Sequence, residues 1–211
     1  MSGGRAAPDP AVRGRAVIKM AVGGKAVIRL TGERRSQMSD ILEVLKTRRS
    51  VRKYKKDMVP EELLDRILEA GLYAPTGMDC QKTILLKIAD QETVRTLGLV
   101  NGRIMGREGM DAFYGAPVVI SVLSKNTDPI AVYNGSAAIM NMLDEAASLG
   151  LGSCWIHRGK EQFETEEGRE ILRRAGIDPD AYTGIDNVIV GYADGELPKA
   201  SPRKAGRIVE L

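Results

Sequence analysis

The sequence predicts a domain that mixes helices with strands, of either the α/β or the α+β class. The main observation is that segments with apolar residues at every third or fourth position alternate with short, continuous apolar runs. At 211 residues, 43% of them hydrophobic, the chain is also long enough to bury one core of ordinary size. Its two cysteines, Cys80 and Cys154, are too few for a disulfide scaffold, so we expect a protein of the reducing cytoplasm.

The first predicted elements are two helices on either side of a cationic run. Ser39 can cap the first helix, whose apolar face lies within 41–45. In the second, Pro60 occupies the first helical position and Gly71 follows the end. In chain order we then expect a buried strand at 83–89, a short helix at 91–100 and a second buried strand at 116–124.

A long helix at 134–149 begins the second half of the predicted domain. It is apolar around much of its circumference and stops at Gly150, so it should lie at the centre of the domain. After it, 152–156 is either a strand or an extended loop. Thr165 can cap an amphipathic helix that reaches 176, and 187–193 completes the pattern as a last core strand.

The basic charge of the chain is concentrated in residues 1–37, which contain eight Lys and Arg against two Asp and Glu. Setting this balance of +6 aside changes the formal net charge from +3 to −3, so the basic character is no indication that the domain at 38–211 binds nucleic acid. For residues 1–37 we consider a short hairpin, a disordered basic arm, or a region that is not native because translation begins at Met38. We prefer the last hypothesis, because "GERR" is what a purine-rich ribosome-binding sequence would encode.

Several classes of site are not expected. The single histidine, His157, stands in no metal-binding motif and no C-x-x-C occurs, so we predict no metal. No apolar run approaches the length of a membrane span, and the N-terminus lacks the apolar core of a signal peptide. We therefore expect a cytoplasmic protein that does not bind membranes.

The segment KTRRSVRKYKKD, at 46–57, has seven cations among twelve residues. At the end of a helix, its guanidinium groups, its hydroxyl and the amides of a turn suit a phosphate ester. A solvated basic face is an equally open alternative.

Two later segments also have the composition of a binding site. In YAPTGMDCQK, at 73–82, a turn presents Thr76, Asp79 and Gln81, which can read the edge of a planar heterocycle, although an ordinary loop would look the same. In SLGLGSCWIHRG, at 148–159, the glycines fail as a dinucleotide-binding motif because they follow a helix and the third glycine is absent. Cys154 fits a small buried hydrophobe better than a nucleophile.

Taken in order, these segments resemble the nitroreductase family of FMN-dependent oxidoreductases. The resemblance runs from about Ile41 to the end of the chain and depends on five motifs, RRSVRKY, APTGMDCQ, YGAPVVI, GLGSCWI and PRK. It implies an α+β fold in which helices flank a mixed sheet, and an intertwined homodimer with FMN at the subunit interface. It also implies NADH or NADPH as co-substrate and a nitroaromatic, quinone, enone or similar acceptor, reduced by a ping-pong mechanism.

The resemblance further implies which residues bind FMN. Arg48 and Ser50 would contact the phosphate and ribityl chain, and Arg49 and Arg52 the pyrimidine edge of the ring. The other residues implied at the cofactor are Arg203 and Lys204 on the phosphate, Pro75, Thr76, Gly77 and Asp79 from the partner subunit, and Trp155, Ile156 and His157 with their backbone near N5. No side chain is needed as a nucleophile, so no catalytic residue is named.

Departures from the family pattern define the alternatives. Asp79 replaces the usual Asn, and its carboxylate would oppose negative charge on the reduced flavin. A reductive dehalogenase or flavin reductase of the same fold would share FMN but not the substrate; for it, 101–115 is the candidate lid, or else an exposed connection. A non-catalytic flavin-binding or nucleic-acid-binding protein is the alternative from another class, although aromatic residues are not interleaved with the cations, which argues against single-stranded nucleic acid.

Overall fold

A computed structural model describes residues 40–211. Three predictions lie outside the described residues: the extension at 1–37, the translation start at Met38 and the helix cap at Ser39. The helices are α1 (Ile41–Thr47), α2 (Glu61–Leu72), α3 (Gln91–Ile104), α4 (Ala131–Ser148), α5 (Gly159–Glu164) and α6 (Glu166–Arg174). The strands are β1 (Thr83–Ile88), β2 (Val118–Lys125), β3 (Gly152–Ile156) and β4 (Tyr182–Gly191), and a 3₁₀ turn covers Gly77–Asp79.

The four strands form one sheet in the order β1-β2-β4-β3, and all neighbouring strands are antiparallel. Among the described residues, the parallel pairing consists of one isolated bridge, between Ser50 and Ser153. Opposite Val122 and Leu123 of β2 the register shifts by one residue, which leaves Ile185 of β4 as the extra residue of a β-bulge. The predicted α+β class is confirmed.

Helices cover both faces of the sheet. Side chains of β2 alternate between them, with Ile120 and Val122 packed towards α2 and α4, and Val119 and Leu123 packed towards α3, α5 and α6. Because both faces are covered, β2 is a nearly continuous apolar run, as its sequence predicted. Each fully buried aliphatic side chain in these layers contributes about 1.5–3 kcal/mol relative to exposure.

Two helices begin with the expected side-chain caps. The Thr165 hydroxyl accepts a hydrogen bond from the backbone N–H of Gly168 at 3.1 Å and begins α6, which confirms the predicted cap. Asp90 caps α3 in the same way by accepting from the N–H of Thr93 at 2.9 Å. The short helix α5 was not predicted.

The segment at 101–115 is buried near both ends and exposed at 106–109, and its role as a lid stays a prediction. Asn101 and Gly102 are buried in the last turns of α3, and Phe113 is fully buried in the core. The Asp111 carboxylate accepts hydrogen bonds from the N–H groups of Phe113 and Gly115, at 2.8 and 2.9 Å. These contacts fix the turn that leads into β2.

The two ends of the described range expose apolar side chains. In α1, the predicted apolar face is exposed at Ile41, Leu42 and Leu45. Residues 194–211 form neither helix nor strand, and Ile208 and Val209 are exposed there. Within residues 40–211, none of the helices combines the length and apolar character needed to cross a membrane.

Candidate functional site

The cationic segment between α1 and α2 lies against β3. Ser50 forms the parallel bridge to Ser153, and the N–H of Val51 donates to the carbonyl oxygen of Ser153 at 2.9 Å. The hydroxyl of the buried Tyr54 donates to the Val51 carbonyl at 2.9 Å, and Tyr54 also bridges Ala193 beyond the end of β4. The backbone that presents the cations is therefore fixed to two strands.

Arg48, Ser50 and Arg52 lie near enough to β3 to act on the buried thiol of Cys154. Burial raises the pKa of this thiol, while Arg52, a hydrogen bond with Ser50, and Arg48 act in the opposite direction. Burial prevails, so Cys154 is a packed hydrophobe with a protonated thiol, as its sequence context predicted. The structure thus brings together three of the four site residues predicted in this segment.

The fourth, Arg49, is engaged by backbone carbonyl groups. Its Nη1 donates to Lys46 and Arg48, at 2.8 and 2.6 Å, and its Nε donates to Pro198 at 3.0 Å. Arg49 therefore ties the cationic segment to the C-terminal tail. Its place at the pyrimidine edge of a flavin stays a prediction.

Further along the tail, Arg203 and Lys204 are exposed. The tail reaches the cationic segment at Pro198 through Arg49, and through the ion pair of Lys53 with Asp194 at 2.6 Å. A contact of Arg203 and Lys204 with a phosphate likewise stays a prediction.

Two polar atoms beside the cations are buried without a hydrogen-bond partner among the described residues. Ser153 Oγ is one, directly at the bridge to Ser50. The other is Asp144 Oδ1 of α4, which lies 3.6 Å from Arg48 Nε, too far for a hydrogen bond. Burial raises the pKa of Asp144, and Arg48 opposes the rise. Unpaired buried polar atoms are uncommon, and here both lie at a cluster of donors.

The second predicted segment, at 73–82, is a tight loop held against α4. The N–H of Gly77 donates to Asn134 Oδ1 at 3.0 Å, and the Thr76 hydroxyl accepts from the N–H of Gln81 at 3.2 Å. Asp79 is exposed, and its carboxylate accepts from Gln81 Nε2 at 2.8 Å. Met78, Asp79 and Gln81 have φ angles of 55°, 49° and 45°, a left-handed conformation that is unfavourable for residues other than glycine. Pro75 is exposed before this turn.

A buried carboxylate fixes the side chain that holds this loop. Asn134 Nδ2 donates to Asp128 Oδ2 at 2.9 Å, and Asp128 also accepts from the Ser124 hydroxyl at 3.1 Å and the N–H of Ile130 at 3.1 Å. Burial tends to raise the pKa of Asp128, but these hydrogen bonds, that of Asn134 first, outweigh it and leave the pKa lowered. Asn134 thus ties the loop to α4 at Gly77 and Cys80, while at the end of the loop Lys82 Nζ donates to the carbonyl of Thr127 at 3.0 Å.

The third predicted segment, at 148–159, contains β3, which ends at Ile156, and the only histidine of the chain, His157. Trp155 Nε1 donates to Asp186 Oδ2 at 2.6 Å, and His157 Nδ1 lies 2.9 Å from Oδ1 of the same carboxylate. The N–H of Gly159 donates to Oδ1 at 3.4 Å. Ile156 is buried. Asp186 was not predicted as a site residue.

A buried polar network supports the turn that follows β3. Asn101 Nδ2 donates to the His157 carbonyl at 2.8 Å and to Gln162 Oε1 at 3.1 Å. Asn187 Nδ2 also donates to Gln162 Oε1, at 3.2 Å, and the Ser121 hydroxyl donates to Asn187 Oδ1 at 2.6 Å. These four polar residues have no exposed surface, although they lie among apolar neighbours between the sheet, α3 and α5. Sequence reasoning missed them.

The length of β3 gives the distance between the cationic segment and His157. Ser50 is bridged to Ser153, and His157 follows Ser153 by four residues. At about 3.3 Å per residue of extended chain, His157 lies about 13 Å from the bridge.

The helix α4 gives an independent measure of the same length. Asp144 faces Arg48 at 3.6 Å, and a Cβ atom on Gly135 would lie 2.9 Å from Ile185, which precedes Asp186. Nine residues of helix at about 1.5 Å each also cover about 13 Å. The cationic segment and the Asp186 carboxylate are thus about 13 Å apart along β3 and α4.

Comparison with known proteins agrees with this architecture. The model of the nitroreductase family matches residues 45–105. A Methanothermobacter thermautotrophicus protein provisionally named NADH dehydrogenase/NAD(P)H nitroreductase is 31% identical over 72% of this chain and 77% of its own length. A Bacteroides fragilis nitroreductase with bound FMN has a crystal structure that covers 82% of this chain and 100% of its own, with 30% identity and a TM-score of 0.75. A Desulfitobacterium hafniense nitroreductase with bound FMN, 26% identical, covers 83% of this chain and 100% of its own, with a TM-score of 0.70.

The two nitroreductase structures share the fold of this protein, in which helices flank an antiparallel sheet. The chain belongs to the nitroreductase family.

Proposed function

We propose that the protein is an FMN-dependent oxidoreductase that takes hydride from NADH or NADPH and passes it to a nitroaromatic, quinone, enone or similar acceptor. The observation that carries the proposal is the convergence of Arg48, Ser50 and Arg52 on β3, at one end of a site about 13 Å long. Relatives that the chain resembles over most of its length are nitroreductases with bound FMN.

The residues present fit this cofactor. FMN is elongated, with an anionic phosphate at one end and a flat ring system at the other. The guanidinium group of Arg48 suits the anionic end, and Ser153 Oγ, buried without a partner among the described residues, gives a further hydroxyl beside Ser50. The indole of Trp155 lies towards the other end of the site, where a ring would be placed.

Each group of site residues has a proposed task. Arg48 and Ser50 bind the phosphate and the ribityl chain, and Arg52 stabilises negative charge on the reduced ring. The backbone of 155–157, fixed by the end of β3 and by Asn101, orients the ring. Bound FMN would supply the redox chemistry, by accepting hydride from NAD(P)H in one half-reaction and releasing it to the acceptor in the next.

The loop at Pro75, Thr76, Gly77 and Asp79 is proposed to approach the flavin of a partner subunit, in a homodimer with two FMN sites. This proposal is supported by the exposed apolar residues of α1 and the tail, which a second copy would cover. It also gives a task to Arg49, which holds the tail at Pro198. Light scattering of the purified protein should give twice the mass of one chain, and a monomer that retains flavin and activity would refute it.

We place the protein in the cytoplasm, where the free thiols of Cys80 and Cys154 would remain reduced. The FMN-binding domain in this proposal is 38–211. Residues 1–37 take no part in it.

An anaerobic absorbance spectrum tests the proposed activity. Protein loaded with FMN should show flavin bands that bleach with NADH or NADPH and return when a quinone, a nitroaromatic or an enone is added. Steady-state rates at several concentrations of both substrates should give the parallel double-reciprocal lines of a ping-pong mechanism. Free FMN, offered as an acceptor, separates a flavin reductase from the other possibilities. A protein that stays colourless after FMN is added would remove the basis of the proposal.

A further inference from the structure

His157 and Asp186 form a dyad whose side chains have no task in the proposed function, which uses only the backbone at 157. The His157 side chain is 72% exposed, whereas that of Asp186 is 8% exposed. Nδ1 of the imidazole lies 2.9 and 3.1 Å from the two oxygen atoms of the carboxylate. With Nδ1 held against β4, Nε2 is the nitrogen on the exposed side of the ring.

The carboxylate is fixed by donors from two other residues. Trp155 Nε1 donates to Oδ2 at 2.6 Å, and the N–H of Gly159 donates to Oδ1 at 3.4 Å. The approach of the Gly159 backbone to β4 is close, because a Cβ atom at Gly159 would lie 2.7 Å from the backbone of Asp186. Asp186 therefore has little freedom to turn away from the imidazole.

The backbone of His157 is fixed as well. Its carbonyl oxygen accepts from the buried Asn101, and Asn101 Oδ1 accepts from Arg158 Nε at 3.3 Å. Arg158 has a φ angle of 77°, a left-handed conformation that these contacts stabilise. An imidazole that is exposed and yet positioned by a buried carboxylate resembles the arrangement by which enzymes hold a proton-transfer group.

We infer that His157 is the proton donor to the electron acceptor, and that Asp186 is its positioning residue. The inference depends on the proposed function, because the dyad lies about 13 Å from the phosphate-binding cations, at the end of the site where the ring and acceptor are placed. Hydride alone does not complete the reduction of an enone or a quinone, since a proton must also be added.

Bound FMN, reduced by NAD(P)H, would supply the hydride and its electron pair to the acceptor. His157, as imidazolium, breaks its Nε2–H bond and transfers the proton to the acceptor, at carbon for an enone and at oxygen for a quinone. The neutral ring that remains carries its proton on Nδ1, where the Asp186 carboxylate accepts the hydrogen bond. Solvent then returns the proton to Nε2.

The first part of the test compares two acceptors in stopped-flow reoxidation of the FMN-loaded, NADH-reduced protein. Cyclohexenone needs hydride and a proton, whereas ferricyanide takes single electrons and no proton. His157→Gln should slow reoxidation by cyclohexenone about 100-fold, within the range of general acid catalysis, and leave reoxidation by ferricyanide at the wild-type rate. Lys160→Ala, at an exposed cation on α5, is the control and should change neither rate.

The second part needs no activity, because the chain has a single histidine and its imidazole signals are unambiguous in NMR. In wild-type protein without a histidine tag, the ¹⁵N shifts of the neutral ring should show the proton on Nδ1. Asp186→Asn should abolish this preference, while Asp180→Asn, at an exposed carboxylate paired with Arg169, should preserve it. If the preference survives Asp186→Asn, the role of Asp186 as positioning residue is wrong.

The outcomes separate the inference from the proposed function. If wild-type flavin bleaches with NADH but His157→Gln leaves the cyclohexenone rate unchanged, or slows both acceptors equally, the inference is overturned and the proposed function stands. If cyclohexenone fails to reoxidise even the wild-type protein while ferricyanide succeeds, the inference is likewise overturned. If the wild-type flavin does not bleach at all, the proposed function fails and the inference fails with it.

Discussion

Replacing Asn101 by Ala should destabilise the protein, because this side chain joins α3 to the turn after β3. The substitution removes three hydrogen bonds: two donated, to the carbonyl of His157 and to Oε1 of Gln162, and a longer one accepted from Arg158 Nε at 3.3 Å. At about 0.5–1.5 kcal/mol for each of the two donated bonds, these two alone should lower the free energy of unfolding by about 1–3 kcal/mol. For a domain of this size each kcal/mol lowers the melting temperature by about 2–4 °C, so a decrease of about 4–8 °C is expected near the middle of that range.

Thermal unfolding followed by circular dichroism measures this effect, and the chain offers a matched control. Asn126 also donates to a backbone carbonyl, that of Asp180 at 2.7 Å, but Asn126 is exposed. Because water replaces an exposed hydrogen bond, Asn126→Ala should change the free energy of unfolding by less than about 0.5 kcal/mol. Equal melting temperatures for the two variants would show that the network in which Asn101 takes part does not stabilise the fold.

Three further predictions concern the cofactor and the pH dependence of stability. Arg48→Ala should raise the Kd for FMN about 10- to 150-fold, the loss of one charge-assisted hydrogen bond. The control Arg66→Ala, which breaks an exposed ion pair between α2 and Glu145 of α4, should leave the Kd unchanged, and equal affinities of the two variants in a flavin titration would refute the phosphate role. Hydrogen bonds from the Thr93 hydroxyl and N–H lower the pKa of Asp90. The contribution of Asp90 to stability is therefore present above its unfolded pKa of about 3.9 and is lost as the pH falls through the folded pKa. The melting temperature of Asp90→Ala should be below that of the wild type at pH 7, and the difference should narrow below pH 4. Deleting residues 1–37 should leave FMN affinity and turnover unchanged, and a loss of either would give that segment a role in the domain.

Much of the fold could be predicted because its signals are local. The helix α4 is long and apolar around most of its circumference, and Thr165 marks a helix start as expected. The bounds of α2 were less accurate: Pro60 is its N-cap, one residue before the predicted position, and Gly71 lies inside the helix. The six residues of α5 are too few to show a helical period, and the preceding left-handed residue, Arg158, gives no signal in sequence. The exposure of the α1 apolar face could not be predicted either, since an apolar face shows what can be buried but not which partner covers it.

The candidate site likewise contains parts that could be predicted from the sequence and parts that could not. The cations of Arg48 and Arg52 are neighbours in sequence, so their clustering could be predicted from one short motif. The contact of His157 with Asp186 joins residues 29 positions apart, and it depends on how β3 pairs with β4. One signal was available: Asp186 and Asn187 interrupt an otherwise apolar strand, and buried polar residues in a strand indicate hydrogen-bonding partners elsewhere.

The β-bulge at Ile185 explains how one strand serves both the core and the site. In a regular strand, consecutive side chains point to opposite faces, so Ile185 and Asp186 could not both lie towards α4. The extra residue opposite β2 changes the alternation, and Ile185 packs against Gly135 of α4 while Asp186 reaches Trp155 and His157 on the same side. Without the bulge, one of the two would turn to the opposite face, and either the core contact or the carboxylate would be lost. The local irregularity of β4 is therefore a condition for the dyad, which agrees with the frequent occurrence of bulges beside active sites.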